Sequence, residues 1–313
     1  MCSEARDRVF VNDELGGIAR KIFSGFDIVA PEADSISLGA CTAAMVWPFR
    51  VPPETWSSLR GVRVVQTLTA GADGVRYDLI PREAVVLSNA GAYSDSVGEH
   101  AWGLLLGAAK GLHLRKVRST PRLLRGRTLL VVGCGAIGSE VARLARVSLA
   151  MRIIGVSRSF KHPEFFDERY PTPELARVVG SAEAILLALP LTINTRSLFD
   201  YNLLSRTRDS VIIANVGRGE TVDEGAMYRF LAERPESRYV TDVYWEATGR
   251  ESYETSLWNL PNFLGTIHSA GFGGGRESMD KVKERAARNL VRYLLEGRAD
   301  NMVDKSEYER LRF

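Results

Sequence analysis

The stretch TLLVVGCGAIGSE, Thr128 to Glu140, constrains this chain more than any other. A run of strand character enters Gly133, Gly135 and Gly138, and a good helix sequence, SEVARLARVSLA, follows. Strand, glycine turn and helix in that order make a dinucleotide-binding unit. The first glycine permits a tight turn, the second admits a pyrophosphate, and the third lets helix and strand pack closely. The helix then turns its N-terminal amides toward the phosphates. Gly135, Ala136 and Ile137 are the candidate contacts.

An NAD site usually carries an acidic residue roughly 20 residues further on, where it accepts from the ribose 2′-hydroxyl. Here the sequence reads MRIIGVSRS, Met151 to Ser159, with no acid. Ser157, Arg158 and Ser159 stand there instead: a fork of cationic donors between two hydroxyls. That set suits a 2′-phosphate, which a carboxylate would repel. The expected cofactor is NADP(H), with NAD(H) as the alternative. Arg158 stacked on adenine or facing solvent is the competing reading of that side chain.

The chain has 313 residues, 45% apolar and 25% charged, which is enough for two globular domains. Its net charge of +3 is scattered. The densest basic run, LRKVRSTPRLLRGR (Leu114 to Arg127), comes with no recognition motif and reads as a solvated loop, so no nucleic-acid partner is expected. Cys2, Cys41 and Cys134 form neither a disulfide framework nor a metal-ligand set, and no metal is expected. MCSEARDRVFVNDE is no secretory signal, and no apolar run reaches the roughly 20 residues that cross a bilayer. The expectation is a cytoplasmic protein with no membrane partner.

Along the first 90 residues, RVFV, GFDIVA, VRVVQTL and AVVLSN read as strands, and Pro52 to Arg60 as a short helix. A longer helix is expected from Ser96 to Lys116. From Thr128 a second α/β run supplies TLLVVG, RIIGVS, AILLALP, SVIIANV, YVTDVY and FLGTIH, a spacing that suits a doubly wound parallel sheet. A charged amphipathic helix from about Arg276 to Leu295 lies beyond the last strand and is expected to pack on the first domain.

Several segments, in this order, resemble the D-isomer-specific 2-hydroxyacid dehydrogenase family. They are AGADG with SNAGAYSDSVGEHAWGLLL, then GRTLLVVGCGAIGSEVARLA, LPLTINTRSLFD, SVIIANVGRGETVDEGAMYRFL, TDVYWEATGRES and WNLPNFLGTIHSAG. The likeness spans nearly the whole chain and is nearest to glyoxylate and hydroxypyruvate reductases. It implies two Rossmann-like or flavodoxin-like α/β domains with doubly wound parallel sheets, the cofactor domain inserted into the substrate domain. The substrate domain would take 1–94 and 271–313, the nucleotide domain 95–270. The resemblance also implies a homodimer paired through the cofactor domain.

Placed on this sequence, the resemblance makes Arg218, in NVGRG, the clamp of a 2-oxo acid, where a guanidinium binds the carboxylate and polarises the ketone. His268, in GTIHSAG, takes the acid–base position. A carboxylate commonly partners that histidine within D-V-F-x-x-E. Here Asp242 to Ala247 read DVYWEA, so the acid arrives one position early, and the role goes to Glu246, with Glu251 and Glu254 as alternatives. Gly71 and Ala72 would meet the substrate carboxylate, and Tyr93 would face the cleft. Val97, Leu189, Pro190, Thr195, Asn215, Val216, Gly217, Asp242 and Ser269 would line the nucleotide, Asp242 either at the carboxamide or in a local backbone contact. The expected function is hydride transfer between NADP(H) and a small 2-hydroxy or 2-oxo acid. The alternatives are a non-enzymatic NAD(P)-binding sensor or protein-interaction module of the same fold, and a formate- or phosphite-oxidising relative.

Overall fold

The structure is a computed structural model that describes residues 6–114, 121–247, 250–273, 275–308 and 311. It divides into two compact units, Met1–Ala92 with Gly274–Arg312, and Tyr93–Gly273. In chain order the first unit opens with β1 (Arg8–Val11), α1 (Gly17–Ile22), β2 (Asp27–Val29), α2 (Ser35–Gly39), β3 (Ala43–Val46), α3 (Pro53–Ser58), β4 (Val64–Thr67) and β5 (Val85–Leu87). The second unit begins with α4 (Ser94–Lys110), β6 (Thr128–Val132), α5 (Ala136–Leu149), β7 (Arg152–Val156), β8 (Glu168–Tyr170), α6 (Leu175–Val178) and β9 (Ala184–Leu187). It continues through α7 (Tyr201–Ser205), β10 (Ile212–Asn215), α8 (Glu224–Glu233), β11 (Arg238–Thr241), β12 (Glu246–Ala247), β13 (Arg250–Glu251) and β14 (Phe263–Gly265). The chain then returns to the first unit as α9 (Gly275–Glu296).

The first unit is a parallel sheet in the order β2-β1-β3-β4-β5, the flavodoxin-like doubly wound arrangement. Alternation along its strands sends side chains to opposite cores. Phe10, Ala44 and Val65 face one with Trp56; Val9, Val11, Met45 and Val64 face the other, which α9 closes with Ala286, Ala287 and Leu290. β3 was not among the strands expected from the sequence.

The second unit is a parallel sheet in the order β14-β11-β10-β9-β6-β7-β8. The order reverses between β6 and β9, which is the topological switch point of a Rossmann sheet. Both faces are covered, so Leu129 and Val131 join one core and Leu130 and Val132 the other. α4 stops at Lys110, short of the expected end, because Gly111 takes φ 67° and its amide closes on Ala108 O. That is a left-handed glycine cap. Residues 115 and 116 of the expected helix lie outside the described residues. No helix among the described residues is long and apolar enough to cross a membrane.

Candidate active site

The three glycines of the turn do three separate things. Gly133 has φ 97°, and a Cβ there would sit 2.5 Å from Ala188 O. At Gly138 a Cβ would lie 2.1 Å from Gly133 O, so only glycine lets α5 seat against β6. At Gly135 a Cβ would meet nothing within 4 Å. Open space at the middle glycine is what the approach of a pyrophosphate requires, and no side chain caps α5 above it. Ala136 and Ile137 begin the helix there, half-buried. The residues fit a dinucleotide. Cys134, between the glycines, is wholly buried, and burial pushes its thiol up, which keeps it an inert packing group.

Ser157, Arg158 and Ser159 follow β7, with Ser157 amide on Tyr170 O. Arg158 and Ser159 are exposed. The segment is tied back to the turn by Lys161 N–H on Cys134 O at 3.1 Å, and Lys161 is exposed. Sequence reading did not single out Lys161; its one signal was a second basic residue shortly after the strand.

After β9, the Ala188–Leu189 backbone runs between two glycines. A Cβ on Gly133 would strike Ala188 O, and one on Gly217 would lie 2.4 Å from Leu189 O. Leu189 and Pro190 therefore lie at the switch point, and Thr195 Oγ1 donates to Pro190 O at 2.6 Å to hold the bend. After β10 the turn Val216–Gly219 presents Arg218. It is squeezed from both sides, since a Cβ on Gly219 would stand 2.2 Å from the Tyr244 carbonyl. Asn215 is fully buried and spends its side chain on this turn: Oδ1 accepts Gly217 N–H at 3.0 Å and Nδ2 donates to Arg218 O at 2.9 Å. Its amide thus shapes the Arg218 turn. Val216 is buried below it. The Arg218 guanidinium donates to Gly217 O at 2.8 Å and is partly exposed.

Past β14 the chain carries His268 at φ 48°, a left-handed conformation that is uncommon without glycine. Asp242, after β11 and 2% exposed, holds that turn. Its backbone carbonyl accepts His268 N–H at 3.0 Å. Its carboxylate takes Ser269 and Ala270 N–H, each at 2.9 Å, and the Thr266 hydroxyl at 2.6 Å. Asp242 is a local backbone contact, one of the two readings of it above, and Ser269 reaches the site through its amide.

The imidazole Nδ1 of His268 lies 2.5 Å from Glu251 Oε2. The second oxygen of Glu251 accepts Tyr244 N–H at 2.6 Å, which fixes the carboxylate. The partner of His268 is therefore Glu251, and the expected Glu246 is corrected. Glu246 lies across the β12–β13 ladder from Glu251, and its amide is bound to Glu220 Oε1 at 2.9 Å. Glu254 is exposed with its amide on Ser252 Oγ. The contact at Nδ1 leaves Nε2 as the outward nitrogen, on a side chain 42% exposed.

Tyr93 and Val97 open α4, and the Tyr93 ring lies beside Gly271, where burial pushes its phenol up. In the first unit, the loop after β4 turns its carbonyls inward. Thr69 Oγ1 donates to Gly71 O at 2.7 Å and Tyr77 OH to Ala72 O at 3.0 Å. The amides of Gly71 and Ala72 have no acceptor among the described residues.

A Rossmann sheet with an open glycine turn, an arginine and a carboxylate-held histidine at its carboxyl edge defines a nucleotide-dependent oxidoreductase. The family model "D-isomer specific 2-hydroxyacid dehydrogenase, NAD binding domain" matches residues 86–270. An uncharacterized protein of Streptomyces coelicolor (mprR 3′ region) is 32% identical over 79% of this chain and 87% of its own. The glyoxylate reductase of Aeropyrum pernix is 27% identical over 96% of both chains. A solved structure from Pyrobaculum aerophilum, provisionally described as a formate dehydrogenase, superposes with TM-score 0.83 at 30% identity, covering 96% of this chain and 99% of that one. The chain belongs to the D-isomer specific 2-hydroxyacid dehydrogenase family, and it is an NAD(P)-dependent oxidoreductase of small 2-hydroxy and 2-oxo acids.

Proposed function

We propose that this enzyme reduces a small 2-oxo acid with NADP(H) as its preferred cofactor, and that glyoxylate and hydroxypyruvate are its substrates. The observation that carries the reading is the His268–Glu251 pair on a clamped left-handed turn, at the same sheet edge as the glycine-flanked Arg218. Arg218 binds the substrate carboxylate and polarises the ketone. The nucleotide, when bound, supplies the hydride. His268 delivers the proton to the ketone oxygen from Nε2, and Glu251 holds the ring so that Nε2 is the nitrogen that faces substrate.

The preference for NADP(H) rests on Arg158, Lys161 and two serines where an acid would oppose a 2′-phosphate. Reductases of glyoxylate and hydroxypyruvate among the relatives support the substrate assignment. The nucleotide unit is assigned to Tyr93–Gly273 and the substrate unit to the remainder, with a cytoplasmic homodimer as the working form. The test is a panel of 2-oxo acids run with NADPH and with NADH. Turnover of glyoxylate or hydroxypyruvate, with a lower KM for NADPH, supports the reading. Tight nucleotide binding with no turnover would favour the sensor instead.

A further inference from the structure

We propose that His100 is a positioning residue for the acid–base histidine, acting through the Thr266 hydroxyl and the Asp242 carboxylate on the turn that carries His268. The inference deepens the acid–base reading of His268 and rests on it. His100 sits on α4, far along the chain from its partners. Its Nε2 is 2.8 Å from Thr266 Oγ1 and 3.6 Å from Asp242 Oδ1.

The direction of this chain of bonds follows from proton counting. A hydroxyl has one proton, and Thr266 gives it to Asp242 Oδ1 at 2.6 Å, a length typical of O–H on a charged oxygen. Both Asp242 oxygens also accept backbone N–H groups, from Ser269 and Ala270, so the carboxylate acts as acceptor throughout. The ring must therefore donate: His100 Nε2–H to Thr266 Oγ1. That fixes the His100 tautomer and aims the Thr266 proton at Asp242. A single polarised chain then runs from α4 to the two residues after His268.

The turn needs such holding. His268 is at φ 48°, a region side chains seldom occupy, and Asp242 binds the amides of His268, Ser269 and Ala270 alike. Without the His100 donor, the Thr266 hydroxyl is free to rotate away and Asp242 loses one of its anchors. The turn can then relax, and the His268 ring drifts from Glu251. Positioning losses of this kind appear in kcat and leave nucleotide affinity alone.

Four variants test the chain. His100→Leu should lower kcat about tenfold, with nucleotide affinity within about twofold of the parent. His100→Gln, whose amide nitrogen can occupy the Nε2 position as a donor, should restore kcat to within about threefold. Thr266→Val should match His100→Leu, and the double variant should be no worse than either, since both cut the same chain. Parental kcat in His100→Leu overturns the proposal. So does equal damage in His100→Gln, or losses that multiply in the double variant. If His100→Leu does not fold, Thr266→Ser against Thr266→Val decides: the serine should keep the rate and the valine lose it, and equal rates overturn the proposal. His268→Ala separates the two readings. If it turns over normally, the acid–base assignment falls; if it is inactive while His100→Leu is unimpaired, only the present proposal falls.

Discussion

Replacing Glu251 with Gln changes little in shape and much in proton placement. The Gln oxygen can keep the bond to Tyr244 N–H, which Glu251 accepts at 2.6 Å. Its amide nitrogen then faces His268 Nδ1, and an NH₂ group can face only a bare ring nitrogen. The ring proton moves to Nε2, the wrong tautomer for a group that must take up and release protons there. Losing a charge-assisted bond costs about 1.5–3 kcal/mol, or about 10- to 150-fold in rate. The equivalent carboxylate-to-amide change in a serine protease triad costs roughly 10⁴. Here the imidazole is 42% exposed and Glu251 24%, so water softens the penalty and the loss stays within the about 10- to 150-fold range, well short of roughly 10⁴. We expect kcat for ketone reduction to fall about 10²-fold, with nucleotide affinity and circular dichroism unchanged. The paired control is Glu246→Gln, which should hold kcat within about threefold. Steady-state kinetics on both purified variants reads the result. Near-parental kcat in Glu251→Gln, together with a large loss in Glu246→Gln, would refute the pairing and restore the reading taken from sequence.

Arg158→Ala should weaken NADPH by about ten- to a hundredfold and NADH hardly at all, because only NADPH carries the 2′-phosphate; equal losses in titration of both nucleotides would place Arg158 elsewhere. Gly135→Ala should fold with a melting temperature close to the parent's, since its Cβ enters open space, yet bind nucleotide poorly; Gly138→Ala, 2.1 Å from Gly133 O, should lower the melting temperature itself. Asp13 is half-buried between Trp47 Nε1 at 2.7 Å and Lys283 Nζ at 3.0 Å. Burial opposes its ionisation, but the Trp47 and Lys283 bonds and the Lys283 charge outweigh it and hold the carboxyl below its usual range. A depressed folded pKa stabilises above the unfolded value and is lost as pH falls through the folded one. Asp13→Asn should therefore cost about 1–2 kcal/mol at neutral pH and nothing near pH ~2, as read by urea denaturation at both.

The sheets were legible where buried strands carry β-branched and aliphatic runs, as in TLLVV and RIIGV. β3 was missed because Ala43 and Ala44 have low strand propensity; its strand state comes from burial between β1 and β4. β8 was missed because Glu168, Arg169 and Tyr170 form a polar edge with no alternation to read; pairing to β7 and the Arg152–Glu168 ion pair define it. The glycine turn, Arg218 and His268 could be placed because each follows a strand in a fixed motif. Glu251 stood only as an alternative to Glu246 because the acid lies outside its usual spacing. The antiparallel pairing that sets Glu246 opposite Glu251 joins strands of two residues each, too short to show any alternation in the sequence. The turn-holding bonds of Asn215 and Asp242 were not legible for Asn215 and only one of two readings for Asp242, because the same polar types serve turns and cofactors alike.

The most direct test of hydride transfer to a 2-oxo acid uses NADPH carrying deuterium in both positions at nicotinamide C4, with hydroxypyruvate as acceptor. NMR of the product should show deuterium on C2 of a single glycerate enantiomer, the D form. His268→Ala and Arg218→Ala should give almost no labelled product while still binding the nucleotide. Full conversion by His268→Ala, or product without deuterium at C2 from the parent enzyme, would contradict the account.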